Sequence, residues 1–471
     1  MKISNENKNN LVRGTLIYAI GNFGTKVLAF LIVPLYTYYI STGDMGDYDL
    51  VTTTVSLLTP IMTLRISDAT YKWLLHNSDT DKNCISAAYR IILISSVITA
   101  AILLIINVII PIKYCYYFIP LLILGRWTES LQTILRGLKK QRLFVLSGIV
   151  QSVVFLGLNV LFIVVMKQGI TGMFRSYVIS LAVSTILMLC AEPRLRVRIV
   201  RKRENRYLTK AMLLYSAPLV PSGLAWWVMG TSDRYVIRFV LGAEANGIYA
   251  IANKFPTILS MLFTIFNFSW TDVAIGNLNS ERETSEYSSR LFEKLYELAF
   301  CFTIPLIPAT KIITQIVMSA EYKESSVYIS FLYLGALFQG FTTFITAGLL
   351  QGTKTGSIAK SSSIGAVINL AVDLLFMKYI GVQAASISTF CGFFVMWILR
   401  MRDTKSVAPI ILDIKKFVTL FMISLAVAIV VIYTSLALDF LITIFGIILF
   451  LKVNKDYVTQ IIGKTKKKVM G

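Results

Sequence analysis

Charged side chains inside long apolar segments are the residues of this sequence that could do chemistry. Lys26, Arg65 and Arg126 are cations of this kind, and Asp68 and Glu129 follow the two arginines at a spacing of three residues. Each such charge costs roughly 2.5–3.5 kcal/mol at the centre of a membrane helix, so we expect it to face a cavity or a partner. Together the three cations could bind an anionic group such as a phosphate, whose oxygens match the planar fork of arginine.

The two acids leave a second interpretation open. At this spacing Asp68 could neutralise Arg65, and Glu129 could neutralise Arg126, so that both pairs would only stabilise their helices. Lys26 has no acidic neighbour on its own helix and therefore needs a partner on another helix or an anionic ligand. We rank Lys26 first among the candidate binding residues.

Acidic residues in the second half of the chain could bind an ion. Asp272 and Asp373 lie in or beside apolar segments, and together with Asp68 and Glu129 they are candidates for ion pairing or for protonation. The sequence does not separate these roles. We expect no resident cofactor, and coupling to H⁺ or Na⁺ remains open.

Two tryptophans are candidates for stacking on sugar rings. Trp127 and Trp226 lie within apolar segments, and their flat faces suit such a contact. Anchoring at the membrane interface or ordinary helix packing explains a membrane tryptophan equally well. Both interpretations are kept.

The elements that carry these residues are predicted to be membrane helices. Hydrophobic residues make up 56% of the 471-residue chain and charged residues 15%, and the mean hydropathy is +0.69. A spanning helix needs about 20 apolar residues, and about 14 such stretches can be placed, which predicts an all-α polytopic membrane protein. They are Leu11–Ile40, Tyr48–Leu75, Ile91–Ile110, Tyr114–Leu135, Leu143–Met166, Ile170–Cys190, Ala211–Ile237, Gly247–Ile275, Leu291–Met318, Val327–Leu350, Ile358–Ile380, Ala384–Leu399, Phe417–Thr434 and Leu436–Val453.

Basic residues are concentrated in every second connection between these segments. Residues 136–142, 194–206 and 400–416 are rich in Lys and Arg, whereas the alternate connections are short and lightly charged. Short basic loops stay in the cytosol, so both termini are predicted to be cytosolic. The net charge of +21 is spread over these loops, which favours anionic lipid head groups over nucleic acid as its partner.

The scarcity of histidine and paired cysteine argues against metal chemistry. The five cysteines are scattered singly and His76 is the only histidine, so neither a metal site nor a disulfide framework is expected. Residues 352–357 resemble a phosphate-binding loop, but their glycine and lysine have the wrong spacing. We therefore expect no ATP-driven step on this chain.

Two stretches of the sequence repeat each other and indicate duplicated halves. Residues 135–140 at the start of the fifth segment match 350–354 at the start of the eleventh, and 159–162 match 373–376. The spacing predicts a six-helix unit used twice, in parallel. The predicted divisions are a first lobe at 1–205, a second lobe at 206–405, two further helices at 406–454 and a basic cytosolic tail at 455–471.

The stretch from Ser232 to Phe255 carries a resemblance to a known family. It contains Asp233 and Arg234, then Leu-Gly, then Gly247 and Tyr249. This pattern resembles the Wzx-type flippases of polysaccharide precursors, within the multidrug, oligosaccharidyl-lipid and polysaccharide exporter superfamily. The resemblance implies two six-helix lobes facing a central cavity, with two extra helices beside them, and for Asp233 and Arg234 it favours fixing the outer turn over touching a substrate.

The resemblance also implies a function. Such proteins move undecaprenyl-diphosphate-linked oligosaccharides, the units of O antigen, lipopolysaccharide or related surface glycans, across the bacterial inner membrane without enzymatic chemistry, and a monomer beside a polysaccharide polymerase is the expected state. A drug or small-cation exporter of the same superfamily is the alternative, although its cavity is expected to be more acidic. A membrane glycan polymerase or ligase is less favoured because all outer connections are short.

Overall fold

The fold of the chain is almost wholly helical. The computed structural model describes residues 30–76, 81–111, 113–197, 204–259, 263, 281–351, 355–405 and 409–454. Within these residues there are 17 α-helices and no strand. The predicted fold class, an all-α polytopic membrane protein, is confirmed.

The described residues divide into two compact units, the first ending at Trp227 and the second beginning at Val228. The lobes predicted from the sequence repeat are a different division, and they stay a prediction. Helices α1 to α9 begin in the first unit, and their bounds are Val33–Tyr39, Thr42–Thr63, Ile66–His76, Asp81–Ile109, Cys115–Gly137, Gln141–Asn159, Gly169–Ala191, Glu204–Ser216 and Leu219–Thr231.

A sharp break separates α2 from α3 in a stretch that the sequence predicts as one span. Leu64 and Arg65 both have left-handed backbone conformations, with φ of 48° and 53°, and the two helices meet at a bend of 60°. Left-handed backbone is unfavourable for residues that carry a Cβ. Taken together the two helices are long and apolar enough for one span, so the predicted segment Tyr48–Leu75 is interrupted by a break that its apolar length did not indicate.

A second break lies between α8 and α9, where the sequence predicts another single span. The helices meet at a bend of 40°, and Pro218 lies in the two-residue gap between them. A proline has no N–H to donate and cannot continue the preceding helix. α8 packs against α3 and α4, and its Met212 is buried beside Ile66 and Ile92.

The second unit contains helices α10 to α17. Buried aromatic side chains fill the space between α12, α13, α15 and α16, with Phe338 in ring contact with Phe341, Phe394 and Trp397. Lys311 of α12 forms a buried ion pair with Asp439 of α17 at 3.1 Å, which attaches the last hairpin. The bounds of these helices are Asp233–Val240, Ala243–Ala252, Glu281–Val317, Ser325–Gln351, Thr355–Ile380, Gln383–Thr404, Ile414–Tyr433 and Leu436–Val453.

Several helices agree with the predicted apolar segments within a few residues, whereas α4 and α12 begin at Asp81 and Glu281, well before the predicted starts at Ile91 and Leu291. In the described part of the chain nine helices are long and apolar enough to cross a membrane, and the two bent pairs bring the number to 11 if each is one span. The last predicted segment coincides with α17 at both ends. Most of the first and eighth predicted segments lies outside the described residues.

Candidate functional site

A polar cavity lies within the first unit, among helices that the sequence predicts to be buried in lipid. Its volume is about 540 Å³, and α2, α3, α5, α6, α7 and α9 all contribute to its walls. This size is within the range of roughly 300–1,000 Å³ that is typical of small-molecule sites. Most of its lining residues carry hydroxyl, amide or charged side chains. A membrane-embedded unit gains nothing in stability from such a cavity, so it is the first candidate for a binding site.

Arg65 lies on the wall of this cavity, at the break between α2 and α3. Its Nε donates to Asp68 Oδ2 at 2.6 Å, so the predicted i,i+3 pair forms. Among the described residues no acceptor is bonded to its Nη1 or Nη2, and the side chain is 32% exposed. A Cβ on Gly223 of α9 would lie 2.6 Å from Arg65 Nη1, so glycine at this position leaves room for the guanidinium.

Arg126 borders the cavity from α5 but is poorly satisfied. It is 1% exposed, and its Nη1 and Nη2 both reach Thr99 Oγ1 at a long 3.4 Å. Its buried Nε has no partner among the described residues. The predicted pair of Arg126 with Glu129 does not form in this part of the chain, because the guanidinium points towards Thr99 on α4.

Glu129 instead exposes its carboxylate to the cavity, within electrostatic range of Arg65 and Asp68. Arg65, Arg126, Asp68 and Glu129 therefore give the described walls a formal charge of zero. The three-cation path predicted from the sequence also needs Lys26, which lies outside the described residues.

The tryptophans that line the cavity differ from those expected. Trp127 faces the core of the unit, with its ring 5.1 Å from Tyr89, and neither it nor Trp226 belongs to the cavity wall. Trp227 does line the cavity, and its Nε1 donates to Ser56 Oγ on α2 at 3.0 Å. Adjacent helix residues point about 100° apart, so the sequence alone does not show which of Trp226 and Trp227 faces a cavity.

A buried polar cluster in the second unit contains Asp233 and Arg234. The hydroxyl of Tyr249 on α11 donates to Asp233 Oδ2 at the start of α10, and Arg234 Nη1 is 3.4 Å from Asp233 Oδ1. Gly247 is buried on α11, one helical turn from the N-terminal end of that helix. The contact of Tyr249 with Asp233 joins α10 to α11.

Asp373 of α14 is the least satisfied acid among the described residues of the second unit. It is completely buried, and neither carboxylate oxygen has a hydrogen bond of good geometry among the described residues, although the hydroxyl of Ser388 lies close enough to interact with it. Asn369, one turn earlier, is also completely buried and is bonded to Ser388 Oγ at 3.0 Å, and Asp233 is close enough to interact with the Asp373 carboxylate electrostatically. Asp272, the other predicted acid, lies outside the described residues.

Comparison with known proteins gives the family of the chain. The model of a family described as "polysaccharide biosynthesis protein" matches residues 11–271, which is more than half of the sequence. The chain belongs to this polysaccharide biosynthesis protein family. The matched residues include the cavity of the first unit and the cluster of Asp233 and Tyr249.

Other proteins resemble the chain at low sequence identity. An uncharacterized membrane protein of Methanocaldococcus jannaschii is 25% identical over 205 residues, which are 42% of this chain and 39% of that protein. The lipid II flippase MurJ, in an inward closed conformation, superposes with a TM-score of 0.68 at 14% identity, over 95% of this chain and all of MurJ.

A multidrug resistance MATE transporter of the MOP superfamily, in its inward-facing conformation, has the same fold. It superposes with a TM-score of 0.65 at 14% identity, over 86% of this chain and 99% of the transporter. At this identity the two structures show the fold of the family member and leave its substrate open.

Proposed function

We propose that the protein is a flippase for undecaprenyl-diphosphate-linked oligosaccharides. It moves the repeat units of O antigen or a related surface polysaccharide from the cytosolic to the outer leaflet of the bacterial inner membrane by alternating access. Membership of the polysaccharide biosynthesis family and a fold shared with a lipid II flippase support this proposal. The groups of the cavity serve for binding, and no bond of the substrate is made or broken.

The observation that carries the proposal is the cavity of the first unit. The Nη groups of Arg65 are accessible donors that match phosphate oxygens, and Arg126 supplies a buried positive charge. The hydroxyl and amide side chains of the wall match the hydroxyl groups of sugars. The polyprenyl tail can stay in lipid, so that only the hydrophilic head needs a cavity, and Lys26 would add a third cation.

Ion coupling is assigned to the second unit under the same proposal. A buried carboxylate without a hydrogen-bond donor is unstable as a bare anion, so it holds a proton or a cation. Asp373 has no hydrogen bond of good geometry among the described residues, and it lies within electrostatic range of Asp233. We propose that this cluster takes up H⁺ or Na⁺ during the transport cycle.

The basic loops place the protein in the membrane in one orientation. We propose that the 136–142, 194–206 and 400–416 connections and both termini face the cytosol, where anionic lipid head groups would attract the lysines and arginines. We further propose that the protein works as a monomer beside a polysaccharide polymerase.

One observation favours a second function, export of a drug or small cation. The formal charge of the described cavity walls is zero, and Glu129 exposes its carboxylate to the cavity. A cationic compound would bind to that carboxylate, and a multidrug transporter has the same fold. The exporter is therefore kept as the alternative.

A complementation experiment separates the two functions. In bacteria that lack their own oligosaccharide flippase, the wild-type protein should restore surface glycan, and Arg65→Ala should not. The matched control is Arg290→Ala, because Arg290 is an exposed arginine of α12 whose acidic partner is at 3.7 Å. If the wild type, Arg65→Ala and Arg290→Ala all restore surface glycan, Arg65 is not part of the binding site. Drug resistance without surface glycan would support the exporter.

A further inference from the structure

The cavity of the first unit has an aromatic wall whose orientation is fixed by hydrogen bonds. Ser56 Oγ donates to the carbonyl oxygen of Thr53 at 2.7 Å and accepts from Trp227 Nε1 at 3.0 Å. The serine hydroxyl therefore holds the indole from α2, while the backbone of Trp227 belongs to α9. The indole is half-buried and lines the cavity, so it presents a fixed apolar surface among polar neighbours.

On α9, Trp227 lies one helical turn from Gly223, the residue beside the phosphate-binding candidate. A Cβ on Gly223 would lie 2.6 Å from the guanidinium of Arg65, and Trp227 follows Gly223 by four residues on α9. Four residues advance an α-helix by about 6 Å and return to nearly the same face. A group held by Arg65 and a ring stacked on Trp227 would therefore be about one helical turn apart along the same wall.

This spacing matches the covalent structure of a glycosyl phosphate. When the anomeric carbon of a pyranose is bonded to a phosphate oxygen, the sugar ring lies directly beside the phosphorus. The apolar C–H face of such a ring packs against an aromatic face, and its hydroxyl groups need polar neighbours. Glu129, Asp68 and Gln132 on the cavity wall supply acceptors for those hydroxyl groups.

We propose that Trp227 and Ser56 form a subsite for the first sugar of the substrate, the pyranose bonded directly to the diphosphate at Arg65. Gly223 permits this arrangement because it keeps the wall open beside the guanidinium. Trp227 then determines specificity for a sugar next to the phosphate, whereas Arg65 binds the charge. The inference rests on the proposed flippase function, because it assigns where the first sugar of that substrate binds in the cavity.

Binding of two short-chain probes to the purified full-length protein in nanodiscs tests the subsite. One probe is farnesyl diphosphate, and the other is farnesyl diphosphate glycosylated with N-acetylglucosamine. The wild type should bind the glycosylated probe about tenfold more tightly, a factor expected for burying roughly 60 Å² of apolar ring surface. Trp227→Ala should lose this difference without weakening the binding of farnesyl diphosphate, and Ser56→Ala should reduce it because the indole loses its hydrogen bond.

Two further variants keep the test specific. Trp226→Ala is the matched control, because Trp226 is the adjacent tryptophan and does not line the cavity, so it should keep the full difference. Gly223→Ala should weaken both probes, because its Cβ displaces the guanidinium of Arg65. If Trp227→Ala does not fold, as judged by gel filtration of the purified protein, Trp227→Phe and Ser56→Ala carry the test.

The outcomes distinguish failure of the proposed subsite from failure of the proposed flippase function. Equal binding of the two probes by the wild type, or an equal loss of both probes in Trp227→Ala, would overturn the subsite and leave the flippase proposal intact. Binding of neither probe by the wild type would overturn the flippase proposal and the subsite together.

Discussion

Two buried arginines, Arg126 of the first unit and Arg400 of the second, differ in how well their hydrogen-bond donors are satisfied. Arg126 is buried with two long contacts to one threonine and an unpartnered Nε. Arg400 of the second unit is equally buried, but Ser361, Ser362 and backbone carbonyls accept from it. A buried charge that lacks partners destabilises the fold, and its persistence is consistent with a ligand that completes its contacts.

The contrast between these two arginines gives a prediction about function and stability. Arg126→Met should abolish transport without lowering the thermal stability of the protein, because it replaces a poorly paired buried charge with an apolar side chain. Arg400→Met should lower the free energy of unfolding by roughly 1–3 kcal/mol, since it removes satisfied hydrogen bonds. Thermal unfolding in detergent and a transport assay measure the two effects. A large loss of stability in Arg126→Met would instead make Arg126 a structural residue.

Asp373 gives a second prediction at this scale. Asp373→Asn should remove the dependence of transport on a proton or sodium gradient while leaving the protein as stable as the wild type, because an amide mimics the neutral carboxyl group. Asp439→Asn is the control, since it breaks the buried ion pair with Lys311 and should destabilise the protein by roughly 3–5 kcal/mol. Gradient-dependent transport at the wild-type level in Asp373→Asn would exclude this acid from coupling.

The sequence predicted which residues carry charge in the membrane better than it predicted their partners. Arg65 and Asp68 pair as their spacing suggests, whereas Arg126 turns to another helix. The spacing of residues on one helix contains no information about neighbouring helices. For the same reason Trp227 was missed as a wall residue, although the sequence places it beside Trp226.

At the scale of elements, the break between α2 and α3 positions the cavity arginine. Leu64 and Arg65 keep left-handed backbone conformations without glycine. Such conformations cost of order 1–3 kcal/mol each and persist where the surrounding structure requires them. The break turns the chain so that Arg65 and Asp68 both line the cavity.

Substitution of Leu64 tests this strain. Leu64→Gly should leave the protein as stable as the wild type or more stable, because glycine adopts the left-handed region freely. Leu64→Val should be less stable by about 1 kcal/mol or more, since a β-branched residue fits that region poorly. Leu57→Gly, in the regular part of α2, should also be less stable. Thermal unfolding ranks the variants, and equal stability of Leu64→Gly and Leu57→Gly would contradict the account.

Apolar length predicted the helices well and their breaks poorly. The segment predicted at Tyr114–Leu135 is the helix Cys115–Gly137, because a run of apolar residues sets the length of a span. The break at Leu64 depends on backbone conformation, which apolar length does not report. The break after Ser216 has a signal in the sequence, because Pro218 favours a bend in the predicted span.

At the scale of the whole molecule, the proposed orientation can be tested through accessible cysteines. Cys190 is exposed near the end of α7, beside a basic connection that we assign to the cytosol. A membrane-impermeant maleimide should label it in inverted vesicles and not in intact cells. In a Cys190→Ser background, Ser435→Cys between α16 and α17 should show the reverse. Labelling of Cys190 in intact cells would contradict the orientation.

The most direct test of the flippase proposal is translocation in proteoliposomes made with the purified protein and a fluorescent undecaprenyl-diphosphate oligosaccharide. A membrane-impermeant quencher reports how much of the lipid reaches the other leaflet with time. The wild type should move the lipid faster than protein-free liposomes, Arg65→Ala and Arg126→Met should not, and Arg290→Ala should match the wild type. Translocation by the wild type at the rate of protein-free liposomes, with the protein folded and an ion gradient imposed, would contradict the proposed function.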